Sequence, residues 1–449
     1  RDSELESEDT RRKQGLPKRE DLPPPDRPGV RSRSLFGQDS DWVSFKATVS
    51  TAPDQIAIAP GYLTREWMQN GRHYFSYDMG DTKIAKFYTF VSARYSVKRE
   101  MWKGVNIEVY YDPQHPYNVD RMIQSVKTGL DYFTSNFGPY QFRQFRVLEF
   151  PRYQNFAQSY SNTVPFSESI GFIFHSTKED DLDYPLYVTA HELAHQWWGH
   201  QVVGAWAQGS NILSETLAEY SALMVVEHTL GPSGVRTYLK HDLDWYLSGR
   251  RGEVRGEQTL ARVTREDYVW YGKGSLVMYA LKDYIGEERL NAALRSYLEK
   301  VRFQDPPFTT VDDFIEALRA AMPEDRKYLV TDFFETLTLF DNRAMSATWR
   351  ETPDHRFAVT LKVSAAKLRA DDKGNESEIP INDLIDIGVF SGKGKDEKAL
   401  FLEKRRITQH ETTIEVVVDQ KPSRAGIDPY NKLIDRVSDD NLVSVKSGG

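Results

Sequence analysis

From Asp41 the chain alternates apolar and polar positions, with Val43, Phe45, Ala47 and Val49 on one side, the period-two signature of a half-buried strand. A similar run follows in FYTFVSARYSV, so a β-rich segment is expected to about residue 105. VNIEVYY predicts another strand, after which the period changes. Val119, Ile123, Val126, Leu130 and Phe133 recur at helical spacing and predict an amphipathic helix. The strand RVLEF and several helices, including 310–321 and a segment near YLVTDFFETL, extend a mixed α/β region to about residue 344. Alternation then returns in FAVTLKV, LIDIGVF and TIEVVVD, between polar loops, which predicts a small β-sandwich. Residues 1–30 are dense in charge and proline and read as an extended arm or linker. The expected organisation is an arm (1–30), a partial N-terminal β domain (31–105), a large α/β domain (106–344) and a β-sandwich (345–449).

Composition narrows the chemistry. At 449 residues the chain exceeds one ordinary core, and 39% hydrophobic residues suffice to bury several. A formal net charge of -8 argues against a broad basic surface, so nucleic acid is not an expected partner. The absence of cysteine excludes disulfides and thiolate catalysis, which leaves His, Asp and Glu as metal ligands. No apolar run reaches the ~18–20 residues that cross a bilayer. The charged start, without an initiator Met, is unlike a signal peptide and suggests a piece of something longer.

The decisive segment is YVTAHELAHQWWGH. In a helix, residues four apart project from one face, so His191 and His195 can share a cation. Glu192 lies beside them, placed to take a proton from a water on the open side of a zinc ion. Pro185 suits the first turn of this helix and Gly199 its end, which makes HELAH an interior segment. The competing reading makes the histidines satisfied polar residues and Glu192 a solvated charge.

A second helix is signalled by GSNILSETLAEYSALMVVEHTLGP, with Ser210 or Asn211 as N-cap and Gly231-Pro232 as its stop. Leu213, Leu217 and Leu223 mark a buried face. Glu215 and Glu219 lie one turn apart near its start, and a buried carboxylate there needs a partner. Glu215, 19 residues beyond His195, is the better third ligand, with Glu219 as support behind the ligands. Its alternative is an ordinary exposed glutamate. His200, after the helix stop, is expected to be a surface or supporting residue and not a ligand.

HELAHQWWGH followed by ILSETLAEY resembles the gluzincin aminopeptidases, the family of aminopeptidase N and leukotriene hydrolase. The resemblance implies a zinc-dependent peptidase acting on peptide substrates, with His191, His195 and Glu215 holding Zn2+ and Glu192 as general base. Ser214 and Thr216 stand where that family mostly has Asn and Gly. YVWYGKGSLVMYAL resembles a further segment of the family and implies that Tyr271 stabilises the oxyanion; otherwise it is a core aromatic. PFSESIGFI matches the family's exopeptidase signature only at Glu168 and Gly171. That match implies that Glu168 anchors the substrate's α-amino group, the alternative being a loop glutamate beside a strand.

The resemblance implies an α+β multidomain fold: an incomplete N-terminal β domain, a thermolysin-like catalytic domain and the β-sandwich. FAQSYSNTVPFSESIGFI, YYDPQHPYNVDRM and IDPYNKLIDRVSDDN are most similar to bacterial peptidase domains fused to permease-like membrane proteins. A membrane-anchored parent, with this domain outside the cytoplasm, is thereby implied. The large C-terminal helical domain that usually closes the family's cleft is not visible. Two rivals therefore stand beside the aminopeptidase: a zinc endopeptidase, and a non-catalytic binding or sensory domain of a transporter.

Overall fold

The computed structural model describes residues 8–18, 20–37, 41–176 and 181–448. The alternation after Asp41 folds as two strands, Trp42–Val43 and Lys46–Thr51, and Val43 packs apart from Ala47 and Val49, on Met79, Ile84 and Phe142. Phe45, Ala47 and Val49 pack on Ala57, Ala59, Phe75 and Tyr77, and strand Lys46–Thr51 pairs antiparallel with Arg72–Asp78. The run FYTFVSARYSV is strand only in part, in Val91–Ala93 and the start of β1 (Ser96–Trp102).

β1 opens the sheet of the central domain. It pairs antiparallel with β2 (Val105–Tyr111), which runs parallel to β3 (Gln144–Phe150), itself parallel to β4 (Thr163–Ser167). A parallel pair needs a crossover. α1 (Val119–Asn136) supplies it, and all five residues of its predicted stripe are buried. The outer edge of β4 is not bare, because residues 156–160 fold back along it. Gln158 N–H donates to Pro165 O at 3.1 Å, and Tyr160 and Thr163 exchange backbone bonds. This places 156–160 between the sheet and the next helix.

That helix, α2 (Tyr184–Ala194), has Pro185 in its first turn and Asp183 capping the Leu186 N–H. It ends one residue before His195, so HELAH is the last turn of the helix and not its interior. Spacing survives because His195 keeps right-handed helical dihedrals and its N–H bonds His191 O. α3 (Glu215–Leu230) starts later than expected, and Ser210 and Asn211 do not cap it. Both lie in a separate short turn, Ser210–Ile212, and the Ser210 hydroxyl is spent on Ala205 O and Ala207 O. Gly231 ends α3 as read from the sequence, and Pro232 opens α4 (Pro232–Arg251). A π-turn at Val269–Lys273 leads into α5 (Gly274–Ile285).

The C-terminal β-rich domain begins with strand Leu337–Glu351, ahead of the expected boundary at residue 345. Its eight strands form one sheet, seven in a single hydrogen-bonded path and Glu411–Val418 branching from it on Phe357–Ala370; the path is joined through Leu442–Ser447, which lies parallel to Leu337–Glu351 and antiparallel to Arg424–Ile427. Of the N-terminal arm read as extended, residues 1–7 lie outside the described residues, Glu8–Lys13 is a short helix, and the stretch around Pro23–Arg33 is docked. Gln208 N–H donates to Pro23 O and Trp206 N–H to Arg33 O, and Val30 is buried with Val203, Ala205 and Phe308. A single apolar core runs from β2 through the helices into the C-terminal sheet. Among the described residues no helix is long and apolar enough to cross a membrane.

Candidate metal centre

The turn of α2 and the first residue of α3 bring three donors to one point. His191 Nε2 lies 3.0 Å from His195 Nε2, and Glu215 Oε2 lies 3.4 Å from the first and 3.3 Å from the second. Donors ~2.0–2.1 Å from one tetrahedral ion stand roughly 3.3 Å apart, so the spacing is that of a zinc ligand set. Two imidazole Nε2 atoms facing each other need a shared cation or proton, and nitrogen, nitrogen and carboxylate oxygen suit zinc.

Electrostatics agree with that use. Burial opposes charge at His195 but is outweighed by the Glu215 carboxylate, which raises the histidine to about 9. At Glu215 burial is likewise outweighed, here by His195 and His191, and its pKa falls well below the usual carboxylate range. Glu192 is different. Burial, with Glu215 nearby, pushes it up to about 7 against the opposing pull of His195, and its Oε2 is buried without a partner. An unpaired buried carboxylate oxygen beside an ion site is positioned for a water or a substrate group.

Supporting groups surround the ligands. His195 Nδ1 is 2.9 Å from Trp198 O, which fixes that ring. His191 Nδ1 stands 3.2 Å from Glu219 Oε1 without hydrogen-bond alignment, and Tyr187 donates its hydroxyl to Glu219 Oε2. His200 is buried, not at the surface. Its Nε2 lies 3.2 Å from Ser159 O, burial lowers its pKa to about 4, and it is outside the ligand group.

Tyr271 sits in the π-turn with its ring centroid 6.1 Å from that of His191. Burial and the Glu215 carboxylate hold its pKa well above the ordinary value, so it stays a protonated donor. Thr216 ties this turn to α3, donating to Trp270 O at 2.6 Å.

Glu168 stands apart from these groups. It joins His115 and Glu149 in a second cluster of ligand-type side chains at the ends of β2, β3 and β4. His115 Nδ1 lies 3.9 Å from Glu168 Oε2, and Arg152 Nε lies 3.6 Å from Oε1. Glu149 bonds His115 and accepts from the Asp112 N–H. The sequence reading passed over Ser159, Gln196 and Trp245. Ser159 Oγ donates to Glu192 O at 2.8 Å, and Gln196 Nε2 donates to Ser159 Oγ and Tyr160 O, which pins segment 156–160 to α2. Only the Gln that follows the second histidine carried a signal, as a polar residue inside an apolar run.

A His-Glu turn and a facing glutamate-bearing helix thus stand together beside the covered edge of the central sheet. Residues 117–336 match the model of the peptidase family M1 domain. Endoplasmic reticulum aminopeptidase 2 of Homo sapiens is 25% identical over 218 residues, 45% of this chain and 22% of that protein. Probable aminopeptidase 1 of Sulfurisphaera tokodaii is 25% identical over 191 residues, 41% and 24%. The matched stretch therefore spans about a quarter of these relatives' length. Two solved structures share the fold at 19% identity. Legionella pneumophila aminopeptidase A, in complex with aspartic acid, has a TM-score of 0.56 over 89% of this chain and 45% of its own. An M1 zinc metallopeptidase from Deinococcus radiodurans has 0.51 over 66% and 65%.

Proposed function

We propose that this chain is a zinc-dependent peptidase of the aminopeptidase type, with His191, His195 and Glu215 as the metal ligands. The observation that carries the reading is the convergence of three donors 3.0–3.4 Å apart beside the Glu192 carboxylate, whose Oε2 is buried without a partner. When bound, zinc supplies polarisation of the scissile carbonyl and acidification of the attacking water. Glu192 takes the proton of that water as its oxygen bonds to the carbonyl carbon. It then gives the proton to the leaving nitrogen as the C–N bond breaks, yielding a carboxylic acid and an amine, between which the remaining acidic proton passes to leave a carboxylate and an ammonium group. Tyr271 donates a hydrogen bond to the carbonyl oxygen while that oxygen carries charge. Glu168 anchors the protonated α-amino group of the substrate.

The endopeptidase reading is favoured by one observation, the pairing of Glu168 with His115 and Arg152. A membrane-anchored parent, with this domain outside the cytoplasm, is supported only by the family resemblance; the full-length reading frame tests it.

Purified protein is expected to hold one equivalent of zinc and to hydrolyse free peptides faster than their N-acetylated forms. Glu192→Gln is expected to lower kcat by ~10²–10⁴-fold with zinc retained. Equal cleavage of free and acetylated peptides would give the endopeptidase. Bound zinc with no hydrolysis dependent on Glu192 would give the binding module.

A further inference from the structure

Of the nine tryptophans, those flanking the metal centre in sequence are core residues: Trp197, Trp198 and Trp270 are buried. Trp245 is not. It lies on α4 and is 37% exposed, although a large aromatic side chain gains by burial. One face of its indole is taken by Tyr271, with ring centroids 5.7 Å apart and planes 16° from parallel. Tyr271 in turn lies against His191. His241, one turn earlier on α4, flanks the same indole at 6.4 Å. An exposed indole is thus held rigidly one ring away from the group that faces the ligands, on an element that supplies no ligand itself.

We infer that Trp245 is a specificity-determining residue, whose exposed surface receives a flat apolar side chain on the substrate residue next to the scissile bond. The inference rests on the peptidase reading of the metal centre. Tyr271 fixes where the scissile carbonyl oxygen lies, and Trp245, stacked on Tyr271, is the adjoining apolar wall. The stack costs little further ordering, because the indole is already immobilised on one face. A ring or branched chain laid against the wall gains dispersion and loses water, while a methyl group reaches little of it. The preferred substrates therefore carry Phe or Leu in place of Ala at that residue.

The test compares Phe-Ala-Ala, Ala-Phe-Ala and Ala-Ala-Ala as substrates of the wild-type, Trp245→Ala and Trp245→Phe proteins. In parallel, calorimetric binding of the same peptides is measured on Glu192→Gln with and without Trp245→Ala. For one of the two Phe positions, the preference over Ala is expected to fall about three- to ten-fold in Trp245→Ala, in kcat/KM and in binding, and to be largely restored in Trp245→Phe. A loss of rate equal for all three peptides would overturn the inference, since it would mean that Trp245 only steadies Tyr271. An unchanged preference would overturn it too, and would leave the peptidase reading standing. A binding preference that depends on Trp245 without hydrolysis by any variant would leave the subsite standing and remove the peptidase reading.

Discussion

The two histidines of the proposed metal centre face neighbours of different kinds, and the neighbours differ in how replaceable they are. His195 is fixed by a backbone carbonyl, Trp198 O, which no substitution removes. His191 has only the Glu219 carboxylate, 3.2 Å from its Nδ1, and Glu219 is itself held by the Tyr187 hydroxyl. Orienting groups behind a zinc histidine typically contribute 10–100-fold in metal affinity. Glu219→Ala is therefore expected to weaken zinc binding by about that factor, read by competition with a chelator. Glu219→Gln, which keeps an acceptor oxygen, should lose less. Retention of zinc by Glu219→Ala at wild-type affinity would show that the ring is held by packing alone.

Among the elements, what was legible in the sequence followed from local period, and what was missed followed from contacts made across the fold. The spacing of His191 and His195 belongs to the last turn of α2 and its C-cap, and the stripe of α1 is complete within one helix, so both were readable. The start of α3 was not. Ser210 has the chemistry of an N-cap, but its hydroxyl is captured by Ala205 and Ala207, residues placed by the turn before it. The continuous C-terminal sheet depends on Leu442–Ser447 pairing with strands from two distant parts of the chain, which alternation cannot encode. The glycines near Tyr271 belong to the same class. At Gly274, where α5 leaves the π-turn, an added Cβ would lie 2.4 Å from Thr216 Oγ1 on α3. Gly274→Ala must push apart the helix carrying Glu215 and the turn carrying Tyr271. It is expected to cost ~1–3 kcal/mol in thermal or denaturant unfolding and to lower kcat more than it raises KM. Adding Thr216→Ala should return part of both losses, and a strictly additive double variant would refute the contact.

For the whole molecule, the question is whether the C-terminal sheet is an appendage or part of the scaffold that holds the site. α5, which begins just beyond Tyr271, ends against that sheet. Its Asp283 pairs with Lys432 at 2.7 Å and with Lys404, while Asp386 of the sheet pairs with Lys432 at 2.7 Å and Lys404 at 3.0 Å. Tyr284 adds a hydrogen bond to Leu384 O. These charges lie at a junction whose apolar core is continuous, so removal of one lysine leaves an aspartate poorly compensated where water cannot easily reach it. Lys432→Met is expected to lower stability by about 3–5 kcal/mol while unfolding remains a single transition, as one core requires. The pH dependence has a definite sign. Burial opposes the charge on Lys432, but Asp283 and Asp386 outweigh it and raise its pKa above the ordinary 10.5. Its contribution is complete below 10.5 and declines as pH rises through the folded-state value. Melting curves of wild-type and Lys432→Met should therefore differ by a constant amount from neutral pH to about 10 and converge above it. Two separate transitions in the wild-type protein, with only the later one moved by Lys432→Met, would instead make the sheet an independent domain and detach it from the support of Tyr271.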